Sequence, residues 1–258
     1  MIVHAYFTDG FYPWAEIFLK SFKLHHGSDM PIVFSTRDIT TDQTNNLYNI
    51  YDNLQIKNSS LSIEDMCKIS GLSKDKLLKF KKQVETVHVT NKNKIWKLMI
   101  AADDRVKSTF DVLKEYQHED YMLHFDIDMY FKSQITNLIE FVKEHDISIR
   151  LRLASKPSRK TMIGVQGYKT GPIPLEFFKR WIKYIDDVAP KNRPLGYGQT
   201  SCYYAYEEIK DKCKWGSIPR KFISPKMSES DVVWSANTKD GKTKNLEKCQ
   251  KDFNKQNT

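Results

Sequence analysis

The segment YMLHFDIDMYF, residues 121–131, decides the fold, because a strongly strand-forming run leads directly into two carboxylates. Tyr121 to Phe125 predicts a buried strand. Asp126 and Asp128 follow it, and side chains at i and i+2 of an extended backbone point to the same side. Two such carboxylates repel each other unless a cation lies between them, and Mg²⁺ or Mn²⁺ prefers oxygen ligands. The apolar residues on both sides of the pair favour a built site over a solvated loop.

The first 36 residues predict a parallel sheet for this strand to join. Ile2 to Thr8 predicts a strand, Trp14 to His26 has apolar residues at helical spacing, and Pro31 to Thr36 predicts a second strand. A strand, a helix and a strand in this order form a right-handed unit with parallel strands. Open α/β sheets bind their ligands at the carboxyl ends of the strands, where Asp126 and Asp128 would lie.

The remaining chain predicts further helices and strands in one domain. A Thr- and Asn-rich loop precedes a short strand at 50–56, and a helix starting at Lys94 continues towards Tyr116 with a break near Asp103. Helices are predicted at 135–144, 175–188 and 199–212, and strands at 148–154 and 162–168. The expected organisation is a single catalytic domain over 1–236, with a helical insertion at about 60–90, and a basic C-terminal loop or tail over 237–258.

Composition indicates a protein with a substantial core and an acidic partner. The 258 residues are 40% hydrophobic and carry a formal net charge of +9, with a pI near 9.1. This charge suits nucleic acid, an anionic membrane surface or a phosphorylated small molecule. The start lacks the zones of a signal peptide, and no run of about 20 apolar residues predicts a membrane span. Four cysteines lie far apart in the sequence, so we expect reduced thiols in a soluble cytoplasmic protein; they are Cys67, Cys202, Cys213 and Cys249.

The order of elements and the FDIDMYF motif resemble glycosyltransferases with the GT-A fold, which use nucleotide-sugar donors. The resemblance runs from Ile2 to about Trp234, is strongest at the motif, and weakens after residue 190. It is closest to the small single-domain enzymes, including some encoded by large DNA viruses. The resemblance implies an α/β fold, a three-layer sandwich around a mostly parallel central sheet, with a DxD motif at a strand end.

The same resemblance implies a donor site. Asp126 would face the ribose and the water shell of the metal, and a basic residue of the preceding helix, Lys94 or Lys97, would meet the donor. Lys239 and Lys242 are candidate clamps for the diphosphate, and a solvated basic tail is the alternative interpretation. The end of the first strand would hold the uracil and ribose of a UDP-sugar; its residues are Ala5, Tyr6, Phe7 and Thr8.

The resemblance also implies a Mn²⁺ or Mg²⁺ site with Asp128 as direct ligand. Many members of this group use a histidine near the C-terminus as a third ligand, but this sequence has no histidine after His145. The third ligand would be another oxygen, or the acidic pair and the diphosphate would hold the metal alone. The candidate oxygens belong to Asp231, Ser235 and Asn237.

The segment GYGQTSCYYAY, residues 196–206, bears on the stereochemistry. An inverting enzyme needs a carboxylate base near the acceptor, whereas a retaining enzyme does not. This segment offers Gln199 and no carboxylate, so we expect retention with Gln199 near the anomeric carbon. Asp186, Asp187 and Asp231 remain candidate bases if the enzyme inverts. The expected activity is transfer of a sugar from a UDP-sugar to a hydroxyl of an acceptor glycan or glycoprotein.

Parts of the sequence are also typical of two other functions. Residues 61–83 resemble a DNA-binding helix-turn-helix, with Gly71 at the turn and a basic second half. A structural insertion is favoured, because two short helices around a glycine often mimic this motif. Nucleotidyltransferases also place acidic pairs at strand ends, but they carry a Gly-rich basic loop after the first strand. Here that loop is TDGFYPW, residues 8–14, which has no basic residue.

Overall fold

A seven-stranded sheet forms the centre of the molecule. The computed structural model describes residues 1–60, 95–188, 192–193, 196–224, 232–235 and 242–256, with a few isolated positions between 61 and 94. The predicted helical insertion, and the alternative helix-turn-helix in the same segment, therefore lie almost wholly outside the described residues. The strands are β1 Ile2–Thr8, β2 Ile32–Arg37, β3 Leu54–Ser59, β4 Tyr121–Asp126, β5 Met129–Phe131, β6 Ile147–Leu151, β7 Thr161–Lys169, β8 Trp215–Gly216, β9 Ile223–Ser224 and β10 Val233–Ser235.

The central sheet has the order β3-β2-β1-β4-β7-β6-β8. Among these seven strands, β7 alone runs against its neighbours, since it pairs antiparallel with both β4 and β6. The other neighbours pair in parallel. A second sheet contains β5, β10 and β9, with β10 antiparallel to β5. The prediction of a mostly parallel α/β sheet is confirmed.

Helices cover both faces of the central sheet. The helices are α1 Tyr12–His26, α2 Thr41–Ile50, α3 Ile95–Glu115, α4 Thr136–Lys143, α5 Pro157–Lys160, α6 Pro172–Asp186, α7 Tyr197–Ile209 and α8 Lys242–Gln256. Side chains alternate along β1, so Val3, Ala5 and Phe7 join one core with α1, α2 and α4. Ile2 joins the opposite core with α3, α6 and α7. Helices, sheet and helices form the three layers that the sequence predicts.

Helix α2 replaces the loop predicted before Ile50. Its first turn is held by a capping box, in which the Thr40 hydroxyl accepts from the Gln43 backbone at 3.2 Å. In return, the Gln43 side chain accepts from the Thr40 backbone at 2.9 Å. Buried Leu47 docks the helix on the core, and β3 consequently starts at Leu54 rather than Ile50.

Helix α3 runs without interruption through Asp103, where the sequence predicted a break. From Asp104 onward, the residues that face the sheet follow helical spacing, since Val106, Thr109 and Leu113 are buried. Asp103 is therefore accommodated within a regular helix. None of the helices in the described part of the chain is long and apolar enough to cross a membrane.

The C-terminal segment is helical over Lys242–Gln256, so the prediction of an irregular tail is wrong there. The helix contacts α1 and buries Asn245 and Cys249, which lie four residues apart on one side. Its Asp252 accepts a hydrogen bond from the Tyr130 hydroxyl at 2.9 Å. The sparse apolar residues of this segment are thus enough to dock it, because they share one helix face.

Two buried histidines lie next to each other in the core between the sheet and α3. His4 and His124 occupy paired positions on β1 and β4, and their Nδ1 atoms are 2.9 Å apart. Ser35 lies 3.0 Å from His4 Nε2. Burial is the main reason that the pKa of His4 falls to about 3 and that the pKa of His124 also lies well below its usual value. Both rings are therefore neutral at physiological pH.

Candidate active site

The acidic pair lies at the edge of the sheet where the parallel strands end. Asp126 is the last residue of β4 and is the register partner of Tyr6 near the end of β1. Asp128 is only 6% exposed, although a carboxylate normally stays in water. The antiparallel strand β7 begins at this same edge. The predicted position of Asp126 at the end of a buried strand is therefore confirmed.

The backbone between the two carboxylates differs from the prediction. The strand ends at Asp126, and Ile127 and Asp128 form a turn that leads into β5. The expected i, i+2 relationship on extended backbone consequently does not hold. Ile127 is buried in the core on the α1 side of the sheet, and its burial fixes the turn.

Arg105 of α3 is a partner of Asp126 that the sequence reading missed. Its Nη1 donates to Asp126 Oδ1 at 2.6 Å. The two side chains are 18% and 27% exposed, so the ion pair is largely shielded from water. Helical spacing indicates only that Arg105 faces the sheet, because it lies four residues before buried Thr109.

Gly164 of β7 provides space on the other side of Asp126. A Cβ atom at Gly164 would lie 3.3 Å from Asp126 Oδ2 and 2.9 Å from the terminal methyl of Met129. The bare backbone at Gly164 thus lets the carboxylate sit against β7. Arg105 and Gly164 together confine Asp126 from two sides.

A second polar cluster joins the ends of β1 and β2 to α3. Asp104 lies 2.5 Å from Arg37 Nη2 and accepts a hydrogen bond from the Tyr6 hydroxyl at 3.2 Å. Burial raises the pKa values of both Tyr6 and Asp104, while Arg37 acts in the opposite direction on each. Among the described residues, Arg37 Nε and Nη1 are buried without a hydrogen-bond partner. Because its hydroxyl donates to Asp104 of α3, the Tyr6 side chain faces α3.

The other β1 residues predicted to bind the donor nucleotide contribute different groups to the carboxyl edge of the sheet. The side chains of Ala5 and Phe7 are buried in the core beneath α1, so only their backbone groups remain for a ligand. Thr8 is the last residue of β1 and is half-buried. The end of β1 therefore offers backbone groups and one hydroxyl to a bound molecule.

Gln199 lies at the same edge of the sheet, in the first turn of α7. The Thr161 hydroxyl donates to the Gln199 carbonyl at 2.9 Å, which ties α7 to the start of β7. Thr161 precedes Gly164 by three strand residues, or about 10 Å along β7. A Cβ atom at Gly196 would lie 3.8 Å from Gln199 Oε1. The Gln199 side chain thus lies beside the turn that begins α7.

The basic residues predicted to meet the donor are only partly described. Lys94 and Lys239 lie outside the described residues, and of Lys97 and Lys242 only the helical backbone is described. Asp231 and Asn237 also lie outside the described residues, as does the side chain of Ser235. A basic residue outside this predicted set, Lys160 at the end of α5, donates from its Nζ to the Tyr203 hydroxyl at 2.8 Å, and this Nζ lies 4.3 Å from the centroid of the Tyr203 ring.

The chemistry of the acidic pair fits a hard divalent cation. Within the described part of the chain, no three His, Cys, Asp or Glu side chains come together as a cation site. Mg²⁺ commonly binds through one or two carboxylates and takes its other ligands from water and substrate phosphates. Buried Asp128 and the shielded carboxylate of Asp126, seated in the space left by Gly164, provide such a pair.

Comparisons with known proteins relate this architecture to sugar-transferring enzymes. No family model and no curated protein matches the sequence. The glycosyltransferase GlyE of Streptococcus pneumoniae TIGR4 matches with a TM-score of 0.56 at 13% identity, over 93% of this chain and 55% of that chain. This chain thus spans about half the length of GlyE.

Two further solved structures match along nearly their whole length. The galactosyltransferase LgtC, in complex with donor and acceptor sugar analogs, gives a TM-score of 0.53 at 10% identity, over 97% of this chain and 96% of that chain. Mouse xyloside xylosyltransferase 1, in its apo form, gives a TM-score of 0.50 at 9% identity, over 92% of this chain and 98% of that chain. Likeness at such low identity establishes the architecture. The chain has the GT-A fold of glycosyltransferases.

Proposed function

We propose that this protein is a metal-dependent glycosyltransferase. It transfers a sugar from a UDP-sugar to a hydroxyl of an acceptor glycan or glycoprotein, with retention of the anomeric configuration favoured over inversion. The proposal joins three features: the GT-A fold, an acidic pair at the carboxyl edge of its sheet, and Gln199 in the first turn of α7, whose carbonyl is bound by Thr161 at the start of β7.

The observation that carries the proposal is the position of the acidic pair. Asp126 ends the central strand β4, and Asp128 is almost fully buried in the turn that follows. In open α/β folds, this edge is where ligands bind. A purely structural turn would not need two carboxylates here, since Ile127 alone provides the buried anchor.

In this proposal Asp128 and Asp126 hold Mn²⁺ or Mg²⁺. When bound, the cation neutralises the negative charge that develops on the UDP leaving group. Asp128 provides the buried carboxylate, and Asp126 is oriented by Arg105 and by the space at Gly164. The protein thus contributes two carboxylates whose positions are set before a donor arrives.

The donor nucleotide is proposed to lie across the ends of β1 and β4. Backbone groups of Ala5, Tyr6 and Phe7 and the hydroxyl of Thr8 would bind the uridine. Cationic side chains would meet the diphosphate, in keeping with the basic charge of the chain. The candidates for that role are Lys94, Lys97, Lys239 and Lys242.

Gln199 supports the preference for retention. It lies at the acidic edge, and its carbonyl is tied to Thr161 at the start of β7. Its side chain is neutral, so it cannot act as the base that an inverting mechanism needs. Gln199 is proposed to lie near the anomeric carbon, where its amide oxygen would stabilise the positive charge of the breaking glycosidic bond.

A thermal-shift panel tests the proposed donor class. The protein is heated with UDP-glucose, UDP-galactose, UDP-xylose, GDP-mannose or duplex DNA, each with Mn²⁺ and with EDTA. We expect stabilisation by at least one UDP-sugar in Mn²⁺ and its loss in EDTA, since a ligand that binds the native state raises the melting temperature. Stabilisation by DNA alone would support a helix-turn-helix function instead.

Product analysis then tests the stereochemistry. The best donor is incubated with Mn²⁺, and the anomeric configuration of the released or transferred sugar is followed by NMR from the first minutes, before mutarotation. Retention predicts a first product with the configuration of the donor. The opposite anomer as first product would exclude the proposed position of Gln199 and direct attention to Asp186, Asp187 and Asp231.

A further inference from the structure

The ion pair between Arg105 and Asp126 changes the electrostatics of the acidic edge. Arg105 Nη1 lies 2.6 Å from Asp126 Oδ1, which is a short, charge-assisted hydrogen bond. The Arg105 side chain is 18% exposed, so water screens this pair only weakly. The cation needed to relieve repulsion between two neighbouring carboxylates is therefore supplied in part by the protein itself.

The position of Arg105 is fixed by its helix. The hydroxyls of Ser108 and Thr109 both donate to the Arg105 carbonyl, at 3.1 Å and 2.6 Å. The preceding residue, Asp104, is bound by Arg37 and Tyr6 from the neighbouring strands. Helix α3 is thus anchored to β1, β2 and β4 within two residues, which holds the backbone of Arg105 beside Asp126.

We propose that Arg105 is a built-in counter-ion of Asp126 that sets the affinity of the acidic edge for a divalent cation. The inference rests on the proposed function, because it assumes that Asp126 and Asp128 bind such a cation. Arg105 acts through Asp126 and is a positioning residue. It engages Oδ1 of the carboxylate, whereas Oδ2 lies on the Gly164 side.

The consequence is coupling between the cation and the nucleotide. Without UDP, Arg105 competes with the divalent cation for Asp126 and repels it, so the cation binds weakly. The diphosphate of UDP brings negative charge that offsets Arg105, and the cation then binds more tightly. Because coupling of two ligands is reciprocal, the cation raises UDP affinity by the same factor.

Three single variants test this role. Arg105→Gln removes the charge and keeps a hydrogen-bond donor, and Arg105→Lys keeps the charge. Arg180→Gln is the matched control, because Arg180 of α6 pairs with Glu176 at 2.8 Å and with Glu208. Glu208 lies nine residues beyond Gln199 along α7, or about 14 Å further along that helix. For each protein, Mn²⁺ affinity is measured by electron paramagnetic resonance with and without UDP. The melting temperature is measured in EDTA and in Mn²⁺.

The expected result is a selective change in Arg105→Gln. Mn²⁺ affinity without UDP should rise by about tenfold, and the enhancement by UDP should shrink accordingly. Its melting temperature in EDTA should fall, because Asp126 loses its counter-ion, and Mn²⁺ should restore it. Arg105→Lys should remain within about threefold of the wild type, and Arg180→Gln should leave Mn²⁺ affinity unchanged.

A double variant makes the test independent of folding losses. If Arg105 acts through Asp126, the effect of Arg105→Gln on Mn²⁺ affinity disappears when Asp126 is already Asn. Equal affinities for the wild type and Arg105→Gln, or an effect that persists in Asp126→Asn, would overturn the proposed role. A wild-type protein that binds no Mn²⁺, with or without UDP, would instead contradict the metal site of the proposed function.

Discussion

Replacement of Gly164 by alanine probes the space in which Asp126 sits. The added methyl would lie 3.3 Å from Asp126 Oδ2 and 2.9 Å from the end of the Met129 side chain. Comfortable contacts between such atoms are about 3.5–4.0 Å, so the carboxylate must shift by a few tenths of an ångström. The Met129 methyl must shift by about half an ångström or more. Asp126 is held by Arg105 on its other side, so part of the strain remains at the carboxylate.

The expected loss of stability and of UDP affinity in Gly164→Ala follows from these contacts. Overpacking a buried site costs about 1–3 kcal/mol, and the flexible end of Met129 places Gly164→Ala near the lower limit, at about 1 kcal/mol. For a chain of this size that corresponds to a loss of about 2–4 °C in melting temperature. We expect the affinity for UDP in Mn²⁺ to fall about tenfold, which corresponds to about 1.4 kcal/mol.

Gly167→Ala is the control for the Gly164 prediction, on the same strand. A methyl there would lie 2.5 Å from one Val142 methyl, a more severe clash in the core against α4. Calorimetric titration of UDP in Mn²⁺ and thermal unfolding should therefore separate the two variants. Gly167→Ala should lose more stability yet keep UDP affinity, whereas Gly164→Ala should lose affinity. Normal UDP affinity in Gly164→Ala would refute the idea that β7 shapes the position of Asp126.

Two further predictions concern stability. His4 stays neutral in the folded protein because its pKa is lowered to about 3, whereas the unfolded chain takes up a proton near pH 6.5. The unfolding free energy should therefore fall as the pH drops below 6.5, and the contribution of His4 to this loss should reach about 3 kcal/mol at pH 4.5. In urea titrations, the unfolding free energy of His4→Gln should depend less on pH than that of the wild type. Tyr130→Phe removes the hydrogen bond to Asp252 and should cost about 1–2 kcal/mol. Hydrogen exchange should accelerate in Lys242–Gln256, and exchange equal to the wild type would show that this bond does not hold α8.

The sequence was most informative where a single strong pattern determines the structure. The run YMLHF could only be a buried strand, and two carboxylates directly after it had to lie at a sheet edge. The turn at Ile127 was missed because the i, i+2 rule assumes that the strand continues. Burial of one isoleucine between two aspartates ended the strand instead.

Other errors came from segments with few apolar residues. Helix α2 has a local signal that was overlooked, since Thr40 and Gln43 form the T-x-x-Q pattern of a capping box. Helix α8 buries Asn245 and Cys249 at helical spacing, but their burial depends on contact with α1. Such docking is a tertiary effect that composition does not reveal.

The partners of the acidic pair were beyond sequence reasoning. Arg105 lies 21 positions before Asp126, and Gly164 lies on a strand far along the chain. Their convergence requires the strand order, in particular the placement of β7 next to β4. The helical spacing of Arg105 and Thr109 indicates only that Arg105 faces the sheet.

The central claim is that the acidic edge binds a cation together with the diphosphate of a nucleotide. Calorimetric titration of UDP into the wild type and Asp128→Asn, each in Mn²⁺ and in EDTA, tests it most directly. We expect the wild type to bind UDP at least about tenfold more tightly in Mn²⁺ than in EDTA, and Asp128→Asn to lose that difference while keeping its melting temperature. Equal enhancement by Mn²⁺ in Asp128→Asn would contradict the claim.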